Sequence, residues 1–188
     1  TQLSASSNFK VDRKVNLIVT ENSGAAVSVV PNSNDRVITF NVTNETNDIL
    51  DIRLTAVQSS GGTAIYGGTD NFDADNLEIW VENGTTAGYQ AGEDTLVSYI
   101  DEIAAGASKV VYVVGDIAAS RANGDIADVR LTAIAAGDVT TSGTGAYTAT
   151  SGSMASDLAE TNTGSTDNAT FVDTVFADTS TADGNTAE

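Results

Sequence analysis

Short bursts of alternating apolar and polar residues recur through the first 137 residues of the chain. In residues 36–43, RVITFNVT, Ile38, Phe40 and Val42 fall on one side of an extended backbone, and the residues between them fall on the other. A period of two residues, in segments rich in valine, isoleucine and threonine, is typical of half-buried strands. The bursts predict strands at about residues 8–20, 26–30, 36–43, 49–57, 77–82, 96–100, 109–114 and 126–135.

The number and spacing of these strands predict the fold class. Eight strands joined by short loops, with no long segment of helical periodicity, predict an all-β protein, and more narrowly an antiparallel immunoglobulin-like β-sandwich. The predicted domain spans residues 1–137, and residues 1–20 are the part of it that could extend or exchange between copies. Trp80 alternates with Ile79 and Val81 on a predicted strand, so we expect it in the core.

The composition changes after residue 137. No lysine or arginine occurs beyond Arg130, whereas carboxylates continue to the end of the sequence. Residues 138–188 are therefore predicted to form an acidic, partly extended segment rich in threonine, serine, glycine, alanine and aspartate. A strand is predicted near residues 170–178, TFVDTVFAD, because its large apolar side chains are poorly suited to solvent.

Charge and composition exclude several classes of function. The formal net charge is −18, so nucleic acids and anionic membrane surfaces would repel the chain. There is no histidine and no cysteine, which removes the commonest general base, the commonest transition-metal ligand and all thiol chemistry. No apolar run approaches the roughly 20 residues needed to cross a bilayer, so membrane insertion is not expected. We predict that the chain is not an enzyme.

A hydrolase is the least favoured class, and it would need two carboxylates that flank a cleft. The candidate pairs are Asp101 with Glu102, and Asp116 with Asp125 or Asp128. The single tryptophan and the lack of an aromatic cluster to hold a sugar ring argue against this chemistry. We expect these carboxylates to lie on a solvated β-surface.

Three segments carry a resemblance to a protein family. They are FKVDRKVNLIV, VVPNSNDRVITFNVTNETNDILDIRLTA and DNLEIWVENGTTAGYQAGEDTLVSYIDEIAAGASKVVYVVGDI. Over roughly residues 8–137 the chain resembles the immunoglobulin-like conserved-repeat domains of large bacterial cell-surface and extracellular-matrix proteins. The phrase ITFNVTNETND is similar to their recurrent strand-turn unit. The resemblance implies a secreted structural, adhesive or filament-forming protein, extracellular or at the cell surface, with no defined catalytic residues.

An acidic stretch between two predicted strands is the candidate metal site. Acidic ligands two residues apart, with a glycine for the turn, are typical of calcium loops. In VENGTTAGYQAGED, Thr85 and Thr86 stand where carboxylates would be expected, so solvated acidic turns are the alternative. Calcium is the only cofactor that the sequence suggests. Its candidate ligands are Asp70, Asp73, Asp75, Glu82, Asn83, Glu93 and Asp94.

The strand near residues 170–178 has no neighbouring strand in sequence. It could complete an edge of its own sheet, or it could add to the sheet of a second copy, where main-chain hydrogen bonds give affinity and alternate side chains fill pockets. The first strand could act as the donor equally well. Head-to-tail addition closes only if it makes a ring, so its natural product is a filament. The predicted assembly residues are Phe9, Val11, Val15, Leu17, Val19, Phe171, Val172, Val175 and Phe176.

These observations predict a structural subunit of an extracellular bacterial filament or surface layer. Copies of the chain would assemble non-covalently by strand addition, so the predicted partner is the chain itself. The alternative is a non-polymerising adhesin module of a larger surface protein, which binds a ligand or a carbohydrate. Exposed aromatic residues around one loop end would distinguish the adhesin.

Overall fold

The chain folds into β-strands. The computed structural model describes residues 4–7, 9, 11–137, 152, 154, 156–158, 174–177 and 184–187. Within these ranges every regular element is a strand, which confirms the all-β prediction, and no helix there is long and apolar enough to cross a bilayer. The strands are β1 (Arg13–Val15), β2 (Leu17–Glu21), β3 (Ser33–Asn44), β4 (Leu50–Gln58), β5 (Gly62–Thr63), β6 (Thr69–Asp70), β7 (Asp75–Val81), β8 (Thr95–Leu96), β9 (Tyr99–Ile103), β10 (Ser108–Ile117), β11 (Val129–Ala136), β12 (Thr174–Phe176) and β13 (Gly184–Ala187).

Most strands belong to two antiparallel sheets. The first sheet has the order β2-β3-β10-β7-β8, and the second has the order β13-β11-β4-β9. Two short pairs stand beside them: β5 with β6, which is antiparallel, and β1 with β12, which is parallel. The chain passes from the first sheet to the second between β3 and β4, so the two sheets are built from interleaved segments.

The two sheets share one apolar core. On β3, Phe40 and Val42 are fully buried and Ile38 is partly buried, as the alternation predicts. Leu50 and Ile52 of β4 are fully buried in the same cluster. Burying each large aliphatic or aromatic side chain stabilises the fold by about 1.5–3 kcal/mol, so this shared layer is the main source of stability.

The predicted first strand is divided into two. Asn16 separates β1 from β2, and the two halves take different partners: β2 pairs with β3, whereas β1 pairs with β12. The predicted strand at 96–100 is divided in the same way between β8 in the first sheet and β9 in the second. A continuous apolar pattern does not reveal a change of partner, because both halves bury alternate side chains.

The predicted strand at 26–30 is wrong. These residues form no strand and are exposed, including Val27, Val29 and Val30. The chain makes its last bond to the β3 edge when the N–H of Asn22 donates to the carbonyl of Thr39 at 2.9 Å. The alternation is present in 26–30, but no described strand pairs with it.

Asn44 joins the two sheets at the end of β3. Its side chain is fully buried, and its Nδ2 donates to the carbonyls of Asp48 and Ile103, both at 2.9 Å. Its Oδ1 accepts from the N–H of Thr46 at 2.9 Å and from the Thr46 hydroxyl at 2.5 Å. Because Ile103 lies on β9 in the second sheet, Asn44 fixes both the β3–β4 turn and the distance between the sheets. We call this end of the molecule the Asn44 pole.

We expect Asn44→Ala to destabilise the fold strongly. The substitution removes the buried partner of the Thr46 N–H and of the Ile103 carbonyl, whereas the Asp48 carbonyl still accepts from the Thr46 hydroxyl at 2.7 Å. The free energy of unfolding should therefore fall by about 3 kcal/mol. Urea unfolding followed by Trp80 fluorescence measures the change. Asn41→Ala is the matched control, because the Asn41 side chain makes an exposed bond to Asn22 at 2.9 Å and should cost about 0.5 kcal/mol. Equal losses in the two variants would contradict the role given to Asn44.

Candidate assembly site

The acidic loop at residues 82–94 binds its own backbone. Asp94 is buried, and its Oδ1 and Oδ2 accept from the N–H groups of Asn83 at 3.2 Å and Gln90 at 2.6 Å. Burial opposes ionisation of Asp94, but these hydrogen bonds outweigh it and hold the pKa of the carboxyl below its usual value. Glu93 Oε2 likewise accepts from two backbone N–H groups of the loop, at 3.1 and 3.2 Å.

Glu82 ties the same loop to the first sheet. Its Oε1 accepts from the N–H of Gly84 at 3.0 Å, and its Oε2 accepts from the N–H of Gly88 at 3.2 Å. The Tyr112 hydroxyl, on β10, donates to Glu82 Oε2 at 2.5 Å. Burial, together with this bond to a carboxylate, raises the pKa of Tyr112 to about 12. The loop carboxylates therefore act as acceptors that fold the loop.

The other three candidate calcium ligands are Asp70, Asp73 and Asp75. Asp70 is buried and accepts from the N–H groups of Gly61 at 2.8 Å and Asp128 at 2.9 Å. Asp73 and Asp75 are exposed. Over the part of the chain that the structure describes, no three acidic side chains are grouped so that they could hold a metal ion. Calcium binding at these loops stays a prediction.

Trp80 lies outside the core, so that prediction is wrong. It is half-buried and absent from the core cluster, whereas its neighbour Val81 belongs to it. The Trp80 ring packs edge-to-face on Tyr89 of the acidic loop, with 5.4 Å between ring centroids, and Tyr89 packs on Tyr112 at 6.0 Å. The tryptophan is therefore placed to report the state of the loop.

The predicted C-terminal assembly strand pairs within its own chain. β12 runs parallel to β1, with Val175 opposite Lys14 and Phe176 opposite Val15. Phe176 is buried in the shared core with Val15, Leu17 and Val19, whereas Val175 is half-buried. Exchange of this strand between copies stays a prediction. Two further predicted assembly residues, Phe171 and Val172, lie outside the described residues.

The N-terminal part of the predicted first strand lies outside the core. Phe9 is fully exposed and Val11 is 76% exposed. Their chain is fixed at the Asn44 pole, where Asn47 Nδ2 donates to the carbonyl of Asp12 at 2.8 Å and Asn47 Oδ1 accepts from the N–H of Lys14 at 2.8 Å. We call residues 4–12 the arm. An arm with two alternate, exposed apolar residues has the pattern of a strand without its sheet.

An apolar groove of about 360 Å³ lies at the opposite end of β3, where that strand begins. The second sheet stops here, because β4 ends at Gln58 and its partner β11 begins at Val129. The first sheet continues past this point and contributes apolar side chains to the groove. The main apolar side chains that line it are Ile38, Leu77 and Val113 from the first sheet and Val27, Val29, Ile65 and Tyr66 from loops. We call it the β3 groove.

Carboxylates stand at the rim of the β3 groove. Tyr66 donates its hydroxyl to Glu21, which also accepts from the N–H groups of Ser23 at 2.6 Å and Gly24 at 3.0 Å. Burial opposes ionisation of Glu21, but these hydrogen bonds outweigh it and lower the pKa of the carboxyl. Glu21 is thus held charged beside apolar side chains.

Sequence reasoning missed the groove because its lining comes from several distant segments. The one local signal was the valine alternation at 26–30, which forms a lip of the groove instead of a strand. Comparison with protein-family models, with curated proteins and with solved structures found no match for this chain.

We expect Asp94→Asn to loosen the acidic loop without unfolding the sheets. The amide oxygen of asparagine can still accept one hydrogen bond, but its NH₂ group cannot accept the other. One of the two backbone N–H groups, that of Asn83 or that of Gln90, should therefore exchange faster, and Trp80 fluorescence should shift. Asp73→Asn, at an exposed position in the preceding loop, is the control and should leave both signals unchanged.

The pH dependence of Trp80 fluorescence tests the same bonds. The folded pKa of Asp94 lies below its unfolded value, so its stabilisation is present at neutral pH and is lost as the pH falls through the folded pKa. We expect the fluorescence change to begin below the ordinary aspartate pKa and to be absent in Asp94→Asn. A change that is unaltered in that variant would contradict the role of Asp94.

Proposed function

We propose that the chain is a structural subunit of an extracellular filament or surface layer, assembled non-covalently by strand addition between copies. The single observation that carries the proposal is the arm, which exposes Phe9 and Val11 in an alternating pattern. Burying such side chains against a neighbouring sheet is favourable, and the backbone of an added strand supplies further hydrogen bonds.

The strand order supports an immunoglobulin-like sandwich as part of the proposal. In the first sheet β2, β3, β10 and β7 are neighbours, and in the second β13, β11 and β4 are neighbours. Labelled A to G in chain order, with β9 omitted, these strands follow the A-B-E-D and G-F-C order of a constant-type immunoglobulin domain. Two strands depart from this order: β9, which precedes β10 in the chain but pairs with β4, and the short β8, which pairs with β7 at the edge of the first sheet.

The positions of the arm and the groove support assembly in one direction. The arm leaves the molecule at the Asn44 pole, whereas the β3 groove lies near Val37, seven residues earlier in the same strand. Seven strand residues span roughly 23 Å at 3.3 Å per residue. Two complementary surfaces at opposite ends of a subunit make a head-to-tail contact, which builds an open polymer when it does not close into a ring.

The composition supports a structural role. A chain without histidine or cysteine lacks the side chains that most often do chemistry. Its carboxylates at residues 70, 82, 93 and 94 are bound to backbone N–H groups of loops. Sheet-forming residues and inert side chains suit a polymer subunit, and calcium could add to loop rigidity without being needed for the strand contact.

We expect Phe9→Asp combined with Val11→Asp to abolish assembly. The full chain should form filaments or large oligomers, seen by electron microscopy and light scattering, and the arm variant should remain monomeric, because carboxylates at these positions cannot enter an apolar site. Val57→Asp combined with Leu96→Asp is the matched control, since both residues are exposed and lie outside the arm and the groove. A wild-type chain that stays monomeric at high concentration, with and without calcium, would contradict the proposal.

The alternative function, a carbohydrate-binding adhesin module, is supported by the half-buried Trp80–Tyr89 pair beside the acidic loop. Aromatic faces of this kind can pack on sugar rings. Titration of oligosaccharides into the protein would then quench Trp80 fluorescence, and Tyr89→Ala would weaken that response while leaving assembly unchanged.

A further inference from the structure

The first half of β3 has a neighbouring strand on one side only. β10 pairs with β3 from Ser33 to Thr43, but β2 covers the opposite edge only from Phe40 to Asn44. Among the strands that the structure describes, none pairs with that edge between Ser33 and Ile38. This open edge is next to the β3 groove, whose lining includes Val37 and Ile38. An open edge beside an apolar groove has the two features that receive an added strand.

Exposed apolar side chains are concentrated on the arm and the groove. Nine large apolar residues are exposed in the described part of the chain, of which two lie on the arm and four line the groove. The arm pair is Phe9 and Val11, and the groove set is Val27, Val29, Ile65 and Tyr66. Exposed apolar patches of this kind mark interaction sites on soluble proteins, and the molecule carries one at each end.

The charges of the two ends differ. The cations Lys10 and Lys14 lie in or beside the arm, which also contains Asp12, whereas the buried Arg13 is ion-paired with Asp48 at 3.1 Å. The charged residues that line the groove are Glu21, Asp125 and Asp128, with Arg36 as the one cation. The positive charges of Lys10 and Lys14 are attracted to this net negative lining, which favours head-to-tail encounter.

The length of the arm fits the open edge. A strand of nine residues, the number in 4–12, would span roughly 26 Å, whereas the open edge from Ser33 to Ile38 spans roughly 17 Å at 3.3 Å per residue. The arm of the same copy would have to reverse at Asp12 and run back past β2 to reach the groove. The arm of a second copy leaves that copy at its own Asn44 pole. It can enter the groove at the opposite end of the first copy without reversing.

We propose that the β3 groove is the receptor for the arm of a second copy of this chain, which adds as a strand to the open edge of β3 and places Phe9 and Val11 in the groove. This inference rests on the proposed function and names the site of the contact. It assigns the groove one occupant, an extended segment with apolar residues at alternate positions and a basic residue between them.

A binding experiment on full-length chains tests the site. The receptor is the full chain with Phe9→Asp and Val11→Asp, which keeps its groove but cannot donate an arm. The probe is a fluorescent peptide with the sequence of residues 1–14, TQLSASSNFKVDRK, and fluorescence anisotropy measures its binding. Adding Ile65→Asp to the receptor should weaken binding by about tenfold or more, because a carboxylate then faces the apolar groove.

The matched control is Leu96→Asp on the same receptor. Ile65 is 54% exposed and Leu96 is 55% exposed, but only Ile65 lines the groove. Binding should be unchanged in the control. Val29→Asp, at a second exposed groove position, should weaken binding as Ile65→Asp does, and circular dichroism should show that every variant keeps its β-structure. If Ile65→Asp unfolds the chain, Val29→Asp supplies the result.

The outcomes separate this inference from the proposed function. A peptide that does not bind, or that binds the groove variants and the control equally, overturns the groove as receptor. If the Ile65→Asp and Val29→Asp chains form filaments as the wild-type chain does, the groove is not the receptor, while the proposed function stands. A wild-type chain that stays monomeric although the peptide binds in the groove overturns the proposed function and, with it, the second copy as the occupant of the groove.

Discussion

The two sheets depend on one apolar layer that is closed at one pole and open at the other. At the Asn44 pole, the buried Asn44 bonds the end of β3 to β9, and Phe176 of β12 enters the core beside Val15. At the opposite pole the second sheet stops at Val129, so Ile38 and Leu77 are only partly covered. The stability of the fold and its proposed capacity to assemble both follow from this difference.

Acidic side chains of the described loops fold the backbone around them. A net charge of −18 repels like molecules at long range, but the carboxylates of Glu82 and Asp94 accept hydrogen bonds from their own loop and hold it over the first sheet. In the proposed contact, the lysines and the apolar side chains of the arm meet the acidic groove, which opposes this repulsion locally. Charge therefore gives the proposed contact its direction, and apolar burial gives it affinity.

The sequence predicted the strands that bury alternate side chains within one sheet, such as β3, β4 and β11, because burial and pattern agree there. It could not predict which strands change partner, since β1 and β2 share one continuous alternation but pair with different neighbours. In residues 26–30 the sequence predicted a strand that does not form. The pattern there is strand-like, but no described strand pairs with these residues. Of the proposed assembly site, the arm was visible in the sequence as Phe9 and Val11. The groove was not, because distant loops and strands converge to form it.

Disulfide trapping tests the contact between arm and groove most directly, because the chain contains no cysteine of its own. In the full chain with Val11→Cys and Val29→Cys, oxidation should link the arm of one copy to the groove of the next and give a ladder of covalent oligomers on a denaturing gel. Each single-cysteine variant can give at most a dimer, and mixing the two should give a 1:1 crosslinked pair. A double variant that yields only monomers, whether crosslinked internally or not at all, would contradict the assembly of copies through the β3 groove.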